Sequence, residues 1–265
     1  MAIVMTYNVY RGGEDRFESI KEVIASVRPD ILAIQEACEW ESSGRFHAVG
    51  RLLGIPEGSM KISHSNSRSS SGRIYDIALY SRYPISDFQV MNDPENIWHS
   101  LLFATLAAPK PFHVLVAHLS PKTEDWRLRE VPRISGLLTQ HSSEPMLLMG
   151  DLNSLSPADP YPPSLLQQLQ EYGISKFGGD ALRFDVITAL QRAGWIDTMR
   201  IPGVGQGFHI TVSEQSEDKD HLDLRLDYIF ANKILAAEMT DVRVASNVSI
   251  KKASDHSPVV AEVSP

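Results

Sequence analysis

Residues 2–9 form a short, β-rich apolar run that stops at the turn signal Arg11-Gly12-Gly13, and they predict a first strand. Phe17, Ile20, Val23, Ile24 and Val27 then recur at helical spacing with charged residues between them, and Pro29 ends the pattern. The spacing predicts an amphipathic helix over 16–27. Ile31 to Ile34 reads as a buried strand leading directly into Gln35 and Glu36. The alternation continues with a helix near 45–53, strands near 75–80, 99–106 and 113–119, and a helix near 124–140. A strand at 146–149, a helix near 181–193 and strands at 227–231 and 258–263 complete it. Several strands follow one another with no helix between, which favours mixed or antiparallel sheets over a purely parallel doubly wound one. No internal repeat and no dividing linker is visible, so one domain over 1–265 is expected.

Three segments interrupt the pattern. Residues 63–72, rich in serine, are too polar to pack and predict a mobile surface excursion. Pro157, Pro160, Pro162 and Pro163 make 154–163 an irregular connection. The third segment, 214–223, holds Glu214, Glu217, Asp218, Asp220 and Asp223, and would repel a phosphodiester backbone unless a cation intervened.

Composition narrows the class. With 43% hydrophobic and 22% charged residues in a chain of 265, disordered, collagen-like and coiled-coil classes are excluded. The single cysteine, Cys38, excludes an intramolecular disulfide framework and a cysteine-based zinc knuckle, and fits a reducing compartment. A net charge of −8 argues against a surface built for indiscriminate binding to nucleic acid or anionic membrane, although a local basic groove can coexist with it. No apolar run approaches the ~18 residues of a membrane span, and the N-terminus has no basic region of a secretion signal. A cytoplasmic protein without a membrane span is expected, and nothing in the sequence points to an obligate protein partner.

The residues capable of chemistry gather at the carboxyl ends of the apolar strands. Strand 2–7 ends in Asn8, strand 31–34 in Gln35-Glu36, strand 113–117 in His118 and strand 146–149 in Gly150-Asp151-Leu152-Asn153. Arg225 and Asp227 open another strand, and Ser254-Asp255-His256 precedes the last. Singly each has a structural explanation: an Asx-capped turn, a self-capping loop or a satisfied core histidine. Their joint order is much harder to dismiss.

At these residues the sequence resembles the endonuclease/exonuclease/phosphatase superfamily, which includes deoxyribonucleases, abasic-site endonucleases, tyrosyl-DNA phosphodiesterases, neutral sphingomyelinases and inositol polyphosphate 5-phosphatases. The matching segments are Thr6 to Val9, Asp30 to Glu36, Val116 to Leu119, Gly150 to Asn153, Arg225 to Phe230 and Ser254 to His256, so the likeness spans nearly the whole chain. It implies a four-layer α/β/β/α sandwich of two packed mixed sheets flanked by helices. It also implies phosphoester hydrolysis, most commonly of a phosphodiester by a nuclease or DNA-end-processing enzyme, with Mg²⁺ or Mn²⁺ as cofactor.

A phosphodiester repels hydroxide, so its hydrolysis needs positive charge and a prepared water. Glu36, with Asn8 beside it, offers hard oxygen ligands of the kind Mg²⁺ prefers. By the resemblance Glu36 is the main metal ligand, and Asp255 adds a metal or water contact. Asp151 and Asn153 hold the attacking water, His256 contacts the phosphate, and Asp227 fixes the His256 tautomer. His118 is a second phosphate contact or an acid for the leaving oxygen, and Arg11 is a candidate on the phosphate path. A histidine at 118 places the chain nearer the deoxyribonuclease, tyrosyl-DNA phosphodiesterase and sphingomyelinase branches, although Asp76 falls where many relatives have glycine.

Arg73, Arg200, Lys251 and Lys252 are weaker phosphate-path candidates, and His209 and Thr211 are either a substrate-side loop or a strand end. Cys38 reads as packing, and Trp40, Trp98, Trp126 and Trp195 read as core or edge aromatics, with Trp98 beside His99 able to stack on a base. Two other functions remain open. The same chemistry would serve a phospholipid, an inositol phosphate or another small phosphate ester, and the same scaffold serves some relatives as a non-catalytic binding protein.

Overall fold

The computed structural model describes residues 1–70, 72–212, 222–245 and 248–264. The first half contains β1 (Ala2–Asn8), α1 (Phe17–Val27), β2 (Ile31–Gln35), α2 (Arg45–Leu53), β3 (Met60–Ser63), β4 (Ile77–Ser81), β5 (Ile85–Met91), β6 (Leu101–Leu106) and β7 (Phe112–His118). The second half contains α3 (Glu124–Gln140), β8 (Met146–Asp151), α4 (Leu165–Glu171), α5 (Asp185–Arg192), β9 (Ile196–Asp197), β10 (Asp227–Ala231), α6 (Lys233–Ala236), β11 (Met239–Val244), α7 (Val248–Ala253) and β12 (Val259–Val263). They build two mixed six-stranded sheets, ordered β11-β12-β1-β2-β4-β3 and β5-β6-β7-β8-β10-β9. In each sheet one parallel pair lies at the centre, β1 with β2 and β7 with β8, between antiparallel neighbours. The two sheets thus share one plan, a symmetry invisible as a sequence repeat.

Both faces of the central strands are covered, which is why they read as unbroken apolar runs rather than as alternation. One row of side chains, including Val4, Ala33, Val116, Met149 and Ile229, packs between the sheets. The other row of the first sheet, including Met5, Leu32 and Val260, packs against Ile20 and Val23 of α1 and Val49 of α2. Leu115, Leu148 and Phe230 of the second sheet pack against Ile134 of α3 and Ile187 of α5. The order helices, sheet, sheet, helices is the expected four-layer sandwich.

Local signals set the element ends. Arg28 closes α1 in the left-handed region, and Thr123 caps α3 by accepting from the Trp126 N–H. The expected strand at 75–80 begins at Ile77 and the helix expected near 181 begins at Asp185. At residues 64–66 the expected excursion is tied to its surroundings. The Asn66 N–H donates to the His99 carbonyl, and Asp76 accepts from the Ser65 N–H and faces His64 Nδ1, so polar pairing supplies what apolar packing does not. Of the acidic 214–223 segment, Glu214, Glu217, Asp218 and Asp220 lie outside the described residues. Among the described residues no helix is long and apolar enough to cross a membrane.

Candidate active site

At one end of the sandwich the row of side chains facing between the sheets changes from apolar to polar. Side chains alternate along a strand, so the row holding Val4 continues to Asn8, that of Val116 to His118, that of Met149 to Asp151, and that of Ile229 to Asp227. Register does the rest. Asp151 pairs with His118 on one side and with Asp227 on the other, so three chemically capable side chains lie abreast on adjacent strands. The close approach of β7 and β8 here requires Gly150, whose φ is 149°, since a Cβ would meet the Ala117 carbonyl oxygen at 1.8 Å.

Asn8 joins the two sheets. Its amide nitrogen lies 3.3 Å from Glu36 Oε1 and 3.1 Å from Asp151 Oδ2, while its Oδ1 accepts from the Tyr10 N–H. Asn8 therefore presents a donor to the two carboxylates rather than the oxygen expected of a metal ligand. The other Glu36 oxygen accepts from the Arg11 backbone N–H at 2.7 Å. The Arg11 guanidinium lies over the Tyr10 ring.

On the facing side His256 Nδ1 lies 2.7 Å from Asp227 Oδ2. Burial disfavours the charged ring, but the carboxylates of Asp227, Asp255 and Asp151 overcome it and raise the His256 pKa to about 10. Burial pushes the Asp227 carboxyl up in turn, against the pull of His256. His118 behaves in the opposite way. Its burial outweighs the attraction of Asp151 and Glu36, so its pKa falls below the usual value and the ring is neutral at pH 7. Its Nε2 lies 3.6 Å from Asp151 Oδ2, and its ring stacks on His99 at 4.3 Å.

Asp151 Oδ1 accepts from the Asn153 N–H at 2.8 Å, and the Asn153 side chain spans from the Leu119 carbonyl to Lys176 Nζ. Desolvation lowers the Lys176 pKa, against the attraction of Asp151. Tyr10, Arg11, Glu36 and Asn153, four of the seven non-glycine residues with positive φ among those described, all line this cleft. Such conformations cost of order 1–3 kcal/mol each and collect where geometry serves chemistry.

The cleft encloses about 560 Å³. Glu36, His118, Asp151, Asn153, Asp255, His256 and Arg11 all line it, as do Lys122, Lys176 and Arg68. Phe177, Val212, Leu222 and Leu224 line it too and give it an apolar portion. Asp151, Asp227 and His256 each bring a possible ligand atom to within 4.8 Å of the others. Because all three are buried and Asp227 is paired with His256 Nδ1, that trio reads as a proton-holding unit, and Glu36 remains the carboxylate suited to a cation.

Several weaker candidates lie elsewhere. Arg200 pairs with Asp159 and Arg73 with Glu14, while His209, Lys251 and Lys252 are not among the cleft-lining residues. Thr211 is buried and accepts from the Leu226 and Asp227 N–H groups, steadying the start of β10. Asp76 reaches His64 and Ser65 rather than His118. Cys38, Trp40 and Trp195 are buried packing residues, whereas Trp98 lines the cleft and meets Trp126 edge to face. The sequence does not single out Lys176, which lies outside any apolar run, nor His99 as a platform, because a residue at the start of the 99–106 run gives no sign of stacking on His118.

The model of the Endonuclease/Exonuclease/phosphatase family matches residues 5–256. The chain belongs to that family. Solved structures agree with the family fold: a 3′ phosphatase from Neisseria bound to a product DNA hairpin matches at 20% identity over 100% of both chains, with a TM-score of 0.73. An AP endonuclease from Archaeoglobus fulgidus matches at 18% identity over 99% of both chains, with a TM-score of 0.70. A 3′-5′ exonuclease from Neisseria meningitidis matches at 21% identity over 98% of this chain and 99% of its own, also with a TM-score of 0.70. No curated protein matches the sequence significantly.

Proposed function

We propose that the chain is a divalent-metal-dependent phosphoester hydrolase acting on a phosphodiester, of the nuclease or DNA-end-processing kind. The observation that carries this reading is the bridge made by Asn8 between Glu36 and Asp151, beside the His256–Asp227 pair, with Glu36, Asp151 and His256 lining one cleft. Similar folds in a DNA 3′ phosphatase, an AP endonuclease and an exonuclease support it.

The donor set fits Mg²⁺ or Mn²⁺: Glu36, Asp151 and Asp255 bring hard carboxylate oxygens to the cleft, and no cysteine lines it. Glu36 would hold the cation, helped by Asp255, with Asn8 keeping Glu36 and Asp151 in place. When bound, the cation would neutralise phosphate charge and lower the pKa of a coordinated water. Asp151, fixed by the Asn153 N–H and the Asn8 amide, accepts the proton of the attacking water, and the Asn153 side chain orients that water. His256, kept cationic by Asp227, donates from Nε2 to a phosphoryl oxygen. His118, neutral and buried, contacts a second phosphoryl oxygen or the leaving oxygen. Lys176 adds positive charge to the same wall and Arg11 lies at the cleft mouth.

The apolar lining of Phe177, Val212, Leu222 and Leu224 favours a second reading, in which the phosphate belongs to a phospholipid or another small ester with an apolar portion. Steep salt dependence of binding to DNA oligonucleotides marks the first reading. Saturable binding of a small phosphate ester without that dependence marks the second.

The test is Mg²⁺-dependent hydrolysis of an aryl phosphodiester and of a 3′-phosphorylated DNA hairpin by wild type, by Asp151→Ala and by wild type in chelator. Turnover lost in both controls is expected. Turnover that survives Asp151→Ala, or a folded wild type that neither binds Mg²⁺ nor hydrolyses any ester, overturns the reading.

A further inference from the structure

At the far end of the second sheet a separate cluster gathers His113, His141 and Glu144. His113 lies on β7 five residues before His118, about 17 Å away at ~3.3 Å per residue, and on the opposite face of the strand. His141 follows the last residue of α3, and the Glu144 N–H donates to the His141 carbonyl, closing a turn that brings the two side chains together. Glu144 Oε2 lies 2.8 Å from His113 Nε2 and 2.8 Å from His141 Nδ1. The three ligand atoms lie within 4.8 Å of one another.

The rings are held before any ligand arrives. His113 is buried, stacks on Phe103 at 5.1 Å and has its Nδ1 3.1 Å from Thr105 Oγ1, its register partner on β6. His141 also packs on Phe103, at 5.0 Å. The Glu144 side chain is 51% exposed, so the open side of the cluster faces water.

We propose that His113, His141 and Glu144 form a binding site for a divalent transition metal, zinc being its natural probe, distinct from the Mg²⁺-type site at Glu36. Two imidazoles and one carboxylate are a common zinc donor set, with water as fourth ligand. Tetrahedral zinc holds its donors roughly 3.3 Å apart. Each of the two 2.8 Å separations between the Glu144 oxygen and a ring nitrogen would open by about half an ångström to admit the ion. The protons balance without oxidant or base: the ring proton of each neutral histidine shifts to its other nitrogen. At His113 that proton meets Thr105, whose hydroxyl changes from donor to acceptor, the outer hydrogen bond that metal-bound histidines usually carry. The bound ion would fasten β7 to the turn between α3 and β8.

The test titrates Mg²⁺-saturated protein with Zn²⁺ against a chromogenic chelator, comparing wild type with His141→Ala and Glu144→Gln. Wild type is expected to take up one equivalent that His141→Ala loses. The loss should exceed the roughly tenfold to hundredfold cost of removing an outer hydrogen-bond partner. Glu144→Gln, which keeps the side-chain shape, should weaken uptake at least about tenfold. Mg²⁺-supported hydrolysis should be unchanged in both variants, showing that they are folded and that the lost ion is not the one in the cleft. Identical zinc titrations of wild type and His141→Ala overturn the proposal.

Discussion

Replacing Asp227 by asparagine tests the proton logic of the cleft. The substitution keeps the side-chain shape and removes the charge facing His256 Nδ1 at 2.7 Å. A hydrogen bond to a charged group is worth about 1.5–3 kcal/mol. If it is fully expressed in the transition state, at 1.36 kcal/mol per tenfold, its loss lowers kcat/KM by roughly 10- to 150-fold. The pH profile carries the sharper signature. In the wild type His256 stays cationic until about pH 10, because Asp227, Asp255 and Asp151 outweigh its burial. Without Asp227 the same burial pulls the pKa down, so the alkaline limb of kcat/KM should move to lower pH by at least about one unit. A raised histidine pKa contributes stability that is complete below the ordinary histidine value of 6.5 and is lost as pH rises through about 10, so the variant should also lose that part of its stability near neutrality. The assay is Mg²⁺-dependent hydrolysis of an aryl phosphodiester from pH 6 to 10, with circular dichroism to verify folding. An unchanged alkaline limb with less than about a threefold loss of rate would refute the assigned role of Asp227.

Glu36→Gln should abolish Mg²⁺-dependent turnover and weaken Mg²⁺ binding measured by calorimetry, since the amide halves the oxygen donors and removes the charge. Lys176→Met should raise KM more than it lowers kcat, because its ammonium meets Asn153 at the cleft wall rather than the water-activating carboxylate itself. Gly150→Ala forces a Cβ against the Ala117 carbonyl and should cost about 3 kcal/mol or more, visible as a melting temperature roughly 6–12 °C lower. Gly136→Ala in α3, where no atom lies within 4 Å of the added Cβ, should instead leave the melting temperature unchanged or higher. Buried Glu130, whose pKa is raised to about 7 by desolvation, should cost stability as pH rises from 4.5 to 7, a slope that denaturant titrations should show flattened in Glu130→Gln.

The eight strands the hydrophobic pattern predicts are β1, β2, β4, β6, β7, β8, β10 and β12, and all eight are interior strands of the two sheets. The four it omits, β3, β5, β9 and β11, are the four edges. The division is physical. An interior strand here is covered on both faces and must be apolar at nearly every position, whereas β5 leaves Ser86 to Gln89 exposed and so carries no such run. The candidate site residues are legible for the same reason. Asn8, Glu36, His118, Asp151 and Asp227 stand out because each ends or begins an apolar run, and two-residue periodicity assigns all but Glu36 to the row between the sheets.

What the linear chain could not decide depends on which strands become neighbours. That Asp151 lies between His118 and Asp227 is a matter of register, and that Asn8 reaches from Glu36 in one sheet to Asp151 in the other is a matter of how the sheets stack. Lys176, 23 residues beyond Asn153, comes from an irregular loop, and His99, at the start of the 99–106 run, is placed behind His118 by stacking and by Ser65 and Ser67 from a separate loop. Local sequence determines which residues emerge at a strand end, because burial selects apolar side chains up to that point. Tertiary structure alone decides which of them meet, because contacts such as that of Asn8 with Asp151 join positions 143 residues apart and are fixed by pairing and packing rather than by neighbours in the chain.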